Sequence, residues 1–446
     1  MKRISRTSAL VIMTLFLLAG IFLQAGTAHA QLFHPQQNTA STVDRDADGK
    51  QVVAYFTQWG IYQRNYLVKN IVTSGTAAKL TVLDYAFANI SSNLQCASGD
   101  TWADYQKPFT ADQAVNGVAD TSTQPLAGNF NQLKELKALY PKLKIIISIG
   151  GWTWSAHFSA AASPQNVSSF VHSCIDQYIL GNQAGPGSMA GIFDGIDIDW
   201  EYPDNPGNGN PYGPQDIQNY TNLLKEFHTQ LNEASEKTGK HYLLTTATPA
   251  GQDKYQKLQL GQASRYVNWM SVMTYDMHGP WDATGPTDFN APLYADPRDP
   301  SPPPANSYSA NRAVSDYLAA GVPARKILLG LPIYGHGWTG VPNINNGLYQ
   351  SSPTMQPAPA SAVAGTEDYR ILETLSGYHG YRNQTTQQYW IFNGTTFWSY
   401  DDLTTVAVKM RYVNSKELAG AFAWSLDGDD TAGSFMNAVY SGLHKR

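Results

Sequence analysis

The sequence predicts an α/β protein, a (β/α)8 TIM barrel with a small α+β insertion domain on the loop after the seventh strand. Three observations carry that expectation. Eight short apolar runs recur along the chain, helix-period segments separate them, and the interval between the seventh and eighth runs is too long for one connection. Near-continuous apolar runs suit parallel strands covered on both faces, and eight strand–helix repeats suit a closed barrel. A doubly wound open sheet would alternate in the same way, but the chain has no glycine-rich phosphate-binding fingerprint to support it.

The elements follow in order. Lys2, Arg3 and Arg6 precede an apolar run from Ala9 to Ala25, and Ala28-His29-Ala30 offers small residues where a signal peptidase reads. Residues 1–30 are therefore expected to be a signal peptide cleaved after Ala30, and the mature protein to be secreted. An uncleaved anchor would use the same run; the polar tail behind it favours cleavage. No other apolar stretch could span a membrane, so no membrane association is expected after cleavage. Residues 31–50 are polar and read as a flexible segment. The catalytic domain is expected over 51–446. Its strand candidates are 52–56, 80–88, 144–150, 191–199, 242–248, 267–275, 326–334 and 420–426. After Ser163-Pro164 the apolar positions Val167, Phe170, Val171, Cys174, Ile175, Tyr178 and Ile179 follow a helical period, with Ser163 as cap and Pro164 in the first turn. A second helix follows Pro214 and stops near Gly239. Weaker helices follow Asn131, Asn311, Asp402 and Ser434. Residues 340–396 carry strand-like pieces of their own and are read as the insertion. The Pro-, Gly- and Asn-rich loops 203–214 and 292–307 leave the C-terminal ends of strands, where a barrel builds its site.

Composition narrows the function. Removing residues 1–30 takes away three positive charges and moves the net charge from −5 to −8. Nucleic acid needs a basic surface, so it is excluded as a partner. The 11 Trp, 26 Tyr and 16 Phe offer flat rings with a polar rim, which suit sugars as well as a large core. The 10 His show no ligand spacing and two Cys cannot make a zinc cage, so neither metal nor cofactor is expected. Export permits a Cys96–Cys174 disulfide. Cys174 falls on an apolar helix stripe, however, and a buried free thiol is the expectation.

The stretch FDGIDIDWEYP holds the chemistry. Strand side chains alternate faces, so Asp197, Asp199 and Glu201 share one face and Asp194 takes the other. Successive members lie about 6.6 Å apart at ~3.3 Å per residue. Two unit charges at that distance repel by about 2.5 kcal/mol at an effective dielectric of ~20. Three ionised carboxylates in a row are therefore disfavoured near neutral pH, and at least one is expected to hold a proton shared with a neighbour. A solvated acidic face would not sit in an apolar run. A metal site would need further acidic or His ligands at the other strand ends.

DGIDIDWE (Asp194 to Glu201) matches the D-G-x-D-x-D-x-E signature of the glycoside hydrolase family 18 chitinases. The chain resembles that family elsewhere too. SIGGW (Ser148 to Trp152) resembles its third-strand motif, MTYD (Met273 to Asp276) the sixth, GLPIYGHGW (Gly330 to Trp338) the seventh, SYDD (Ser399 to Asp402) the end of the insertion, and AFAWSLDGDD the eighth. The resemblance covers residue 51 to the C-terminus, and the insertion is similar to that of the members with deep, tunnel-like clefts.

The resemblance implies a retaining, substrate-assisted hydrolysis of β-1,4-linked N-acetylglucosamine, with chitin or chito-oligosaccharides as partner and the chain acting as a monomer. Glu201 would be the acid. Asp199 would turn from Asp197 toward Glu201, and Asp197 would hold the shared proton at rest. Tyr275 would bind the acetamido oxygen, with Asp276, Met273 and Tyr334 in the same subsite and Trp424 as its floor. Trp59, Trp152 and Trp281 follow strand ends and read as stacking platforms. Tyr55 and Ser148 resemble the groups that support the aspartate pair; ordinary barrel filling is the other reading of both. One position departs from the family: His336 stands where Y-G-R-G-W has Arg, so affinity or pH dependence in the neighbouring subsites is expected to differ. Two other functions fit the same barrel. A chitin-binding lectin would lack the glutamate, and an endo-β-N-acetylglucosaminidase would trim N-linked glycans.

Overall fold

The computed structural model describes residues 49–444; the expected signal peptide, residues 1–30, and nearly all of the polar segment 31–50 lie outside them. Eight parallel strands form the barrel: β1 (Gln51–Thr57), β2 (Val82–Ile90), β3 (Lys144–Gly150), β4 (Gly195–Asp199), β5 (Leu243–Pro249), β6 (Trp269–Met273), β7 (Ile327–Pro332) and β8 (Gly420–Trp424). Each pairs with its neighbours in sequence, and β1 pairs with both β2 and β8, which closes the ring. The structure is the expected (β/α)8 barrel.

Two strands are shorter than their apolar runs, for local reasons. Ahead of β4, Asp194 turns outward: it pairs with Lys137 at 2.7 Å and accepts the Ile145 N–H at 2.9 Å. After β6, the Thr274 N–H folds back onto the Val272 carbonyl at 2.8 Å, and the chain leaves the sheet before Tyr275. The barrel is filled by Val53, Tyr55, Ile146, Leu243, Leu328 and Phe422, while a larger apolar layer joins the strands to the surrounding helices. Among the described residues no helix is long and apolar enough to cross a membrane.

Helix ends follow side-chain chemistry. Gly239 ends the helix Asp216–Thr238 at φ 70°, a left-handed conformation that costs glycine little. Ser309 and Asp402 cap Ala310–Ala319 and Leu403–Ser415 by accepting the Arg312 and Thr405 N–H groups. Ser163 does not cap as expected. Its hydroxyl donates to the Ala160 carbonyl at 2.8 Å, its own carbonyl accepts the Asn166 N–H at 3.0 Å, and the helix starts only at Val167.

The cysteine expectation is overturned. Cys96 and Cys174 are bonded to each other across 78 residues. Cys96 opens a short strand, Cys96–Ser98, that turns back antiparallel onto β2 and brings its sulfur to the buried face of the helix Val167–Cys174. In the loop-entropy model, closing so long a loop stabilises the fold by about 4 kcal/mol.

The insertion is a separate antiparallel sheet. Its central strand, Tyr334–Thr339, pairs with Gln356–Pro357, Thr366–Asp368 and Thr396–Tyr400, and the last continues through Tyr389–Phe392 to His379–Arg382. Phe289, Trp338, Trp390, Phe392 and Phe397 form its core. The sheet thus runs over 334–400, wider than the 340–396 read from sequence. Its first strand follows β7 after the single residue Ile333, which is why the two look like one apolar run.

Candidate active site

The acid row lies at the C-terminal end of β4. Relative exposure rises along it, from 0 % at Asp197 through 4 % at Asp199 to 9 % at Glu201, so the row runs from the barrel interior to its mouth. Trp200 between the acids points the opposite way. It stacks on Phe158 at 5.3 Å and meets Tyr220 edge-on, which fixes the alternation. Gly150 and Gly151, closing β3, have φ 109° and 75°. A Cβ on Gly150 would strike the Asp199 carbonyl oxygen and the Phe158 ring, so the S-x-G-G segment lets β3 and β4 approach at the row. Ser155 then accepts the Glu201 N–H at 2.9 Å and donates to the Gly151 carbonyl at 2.9 Å.

Three hydroxyls converge on Asp197: Ser148 at 2.8 Å and Tyr55 at 3.1 Å on one oxygen, Thr245 at 2.5 Å on the other. Tyr55 and Ser148 thus bond Asp197, the first of the two readings open for them. Thr245 escaped notice because only the β4–β5 register places it there. Burial raises the Asp197 carboxyl above its usual range, and the three donors pull it back. Asp199 has no such relief. One of its oxygens lacks a hydrogen-bond partner, and burial, then Glu201, then Asp197 hold its carboxyl well above the usual range. The hydroxyl cluster therefore favours charge on Asp197, while burial and its two neighbours oppose charge on Asp199.

Glu201 is held at about 7, chiefly by burial, with the Asp276 charge also raising it and Tyr202 and Lys254 pulling it down. Tyr275 is 8 % exposed, and burial with the charges of Asp199, Asp276 and Glu201 keeps its hydroxyl protonated, a donor facing the row. Asp276 accepts from Tyr334 at 2.6 Å and lies 2.8 Å from His336 Nε2; its N–H reaches Asn290 Oδ1 at 2.9 Å. Met273 and Trp424 border the interior cluster at the ends of β6 and β8. Trp424 stacks on Phe87 at 5.5 Å and leans on Tyr55 and Trp59. Trp59, Trp152 and Trp281 are 41 %, 49 % and 56 % exposed, free for stacking in a way core residues are not.

Residues 51–429 match the model of the glycosyl hydrolases family 18. The chain belongs to this family. It is 40% identical over 397 residues to Chitinase 63 of Streptomyces plicatus, covering 88% of this chain and 60% of that protein. It is 36% identical to Chitinase A1 of Niallia circulans, covering 86% of this chain and 57% of that protein. The chain thus spans well under two thirds of these relatives' length. Among solved structures, the catalytic domain of psychrophilic chitinase B from Arthrobacter TAD20 superposes with a TM-score of 0.84 at 39% identity, covering 89% of this chain and 95% of that one.

Besides Thr245, three features of the site were not read from the sequence. Asp84, buried on β2 opposite Tyr55, adds a carboxyl beneath Asp197 that burial keeps well above its usual range. Its signal was present: a lone acid in the apolar run LTVLDYAFA. Tyr202, the next residue after the acid, hydrogen-bonds Glu201. Trp102, 48 % exposed in the connection after β2, is a further flat ring without a motif around it. His336, the family departure, is buried. Besides Asp276 it has Thr366 Oγ1 at 3.1 Å on its other nitrogen.

These shifts fix the sign of the pH dependence. A general acid must carry its proton, so kcat/KM is expected to fall about tenfold per pH unit above about pH 7, where Glu201 ionises. The raised carboxyl also destabilises the fold on ionising: its contribution is full below its usual 4.5 and is lost as pH rises through about 7. Lys254→Met removes a charge that lowers the Glu201 value, and the alkaline limb is expected to move to higher pH. A pH–rate series on both proteins with one oligosaccharide decides it, and an unmoved or lowered limb counts against the assignment.

Proposed function

We propose that the chain is a secreted chitinase that cleaves β-1,4 bonds between N-acetylglucosamine units by a retaining, substrate-assisted route. The observation that carries the reading is the distribution of charge along the row. Asp199 lacks such donors, and burial, Glu201 and Asp197 oppose its ionisation, while the carboxyl with three donors, Asp197, is wholly buried and cannot reach a sugar. Asp276 is engaged by Tyr334 and His336. The row therefore offers one proton at the mouth and no free carboxylate beside it, so the nucleophile comes from the substrate.

Glu201 protonates the glycosidic oxygen, and the acetamido oxygen of the same sugar attacks the anomeric carbon, forming an oxazolinium ion. The Tyr275 hydroxyl donates to the acetamido oxygen and aims it. Asp199 turns toward the acetamido N–H and Glu201 as positive charge develops. Glu201, now a carboxylate, takes a proton from water, which opens the ring with net retention. Trp424 is the apolar floor, and Trp59, Trp152 and Trp281 are stacking platforms for further sugars. Two observations support export: the leader-like residues 1–30 and the Cys96–Cys174 disulfide, which persists in oxidising compartments. One chain holds every group named, so it acts as a monomer. The test is a time course of products from an N-acetylglucosamine hexamer with anomer analysis. Release of β-anomers first is expected; α-anomers first, or no cleavage, would overturn the reading.

A further inference from the structure

Away from the acid row, three ligating side chains from three segments converge. His278 follows β6, Asp288 lies on the segment that returns past it, and Asp299 sits in the proline-rich loop 292–307. One ligand atom from each lies within 4.8 Å of the others. His278 Nε2 is 3.8 Å from Asp288 Oδ2 and 3.9 Å from Asp299 Oδ2. Those separations are too long for hydrogen bonds. They are shorter than two metal–ligand bonds of about 2.0–2.6 Å laid end to end, so one ion between the atoms reaches them all.

A second observation points to a ligand. Asp288 is only 3 % exposed, and its Oδ2, the atom facing His278, has no hydrogen-bond partner among the described residues. Its other oxygen accepts the Phe289 N–H at 2.7 Å. Asp299 is arranged likewise: Oδ1 takes the Ser301 N–H at 2.7 Å and Oδ2 faces the cluster. The backbone of Ala305 hydrogen-bonds the His278 ring, the kind of support that orients a metal-binding imidazole. Asp296 nearby is not free, being held by Arg298 at 2.7 Å and Asn383 at 2.9 Å. The cavity among these residues is about 10 Å³, room for one water-sized sphere.

We propose that His278, Asp288 and Asp299 bind one divalent cation of the Mn2+ or Zn2+ class. One imidazole with two carboxylates suits these ions better than Mg2+, which keeps its waters, or Ca2+, which wants more oxygens. The sequence reading, which expected no metal, could not find the site, because its ligands are separated by 10 and 11 residues of irregular loop. The role is positioning. His278 lies two residues after Asp276, and Asp288 two before Asn290, whose side chain accepts the Asp276 N–H. The ion would pin the backbone that presents Asp276, and no step of hydrolysis passes through it.

The test uses the full protein, stripped with a chelator and titrated separately with Mn2+, Zn2+ and Ca2+ by calorimetry and thermal unfolding. Expected are one Mn2+ or Zn2+ per chain and a raised Tm, with affinity at least tenfold weaker in both Asp299→Asn and His278→Gln and unchanged in Glu201→Gln. A stripped wild type that neither binds nor gains stability would overturn the proposal, leaving Asp288 and Asp299 to share a proton. Binding that both loop variants retain, or a response to Ca2+ alone, overturns the site or its class. The wild-type titration decides even where a variant fails to fold.

Discussion

Glu201→Gln is expected to lower kcat on chito-oligosaccharides by about 10²–10⁴-fold, the usual contribution of a general acid, while leaving oligosaccharide affinity within a few-fold. The amide keeps the size and the planar head of the carboxyl but has no proton to transfer. The groups proposed to grip a sugar, Tyr275, Asp276, Trp424 and the exposed tryptophans, are untouched. Steady-state kinetics with calorimetric binding separates the two effects. An affinity loss as large as the kcat loss would mean that Glu201 holds substrate and is not the acid. Stability supplies an independent readout. Wild type bears a buried carboxylate above about pH 7 and the variant does not, so the variant is expected to be the more stable at pH 8 and to lose that advantage at pH 5.

The second large effect is on the substrate side. A β-1,4-glucan oligomer without N-acetyl groups is expected to be cleaved at least about 10³-fold more slowly than its N-acetylated counterpart, since a well-placed internal nucleophile is worth an effective concentration of about 10⁵ M or more. The physical reason lies in the acid row. Asp197 is sealed inside the barrel under three hydroxyls, and burial with two neighbouring carboxyls opposes charge on Asp199, so neither replaces the missing acetamido oxygen. Product release from both oligomers at matched concentration measures it. Comparable rates would require a protein nucleophile and would remove the substrate-assisted route.

Much of the fold was legible because its signals are local. Eight apolar runs marked eight strands, and alternation along β4 put three acids on one face. The same alternation put Asp194 on the opposite face. What stayed hidden depends on register between distant segments. Thr245 reaches Asp197 only because β5 pairs with β4 in one particular alignment. Cys174 looked like a packed thiol because its helical stripe is indeed buried; the partner arrives on a short antiparallel strand that no periodicity announced. Ser163-Pro164 carried a helix-start signature, yet the Ser163 hydroxyl found a nearer acceptor in the preceding turn. The unequal support of the two aspartates was hidden for a related reason. Charges along one strand can be counted from sequence, whereas hydroxyls donated by three other strands cannot.

The width of the inserted sheet bears on how such proteins can be recombined. Its central strand begins at Tyr334, one residue past β7, and carries both Tyr334 and His336, the two groups that hold Asp276. A chimera cut at residue 340 would leave that strand facing foreign partners, and Tyr334 and His336 would lose their register. Cut after Pro332 and after Tyr400, the sheet travels whole and takes its grip on Asp276 along. The inserted lobe and the groups that hold Asp276 are therefore a single unit of inheritance, and exchanging one without the other breaks both.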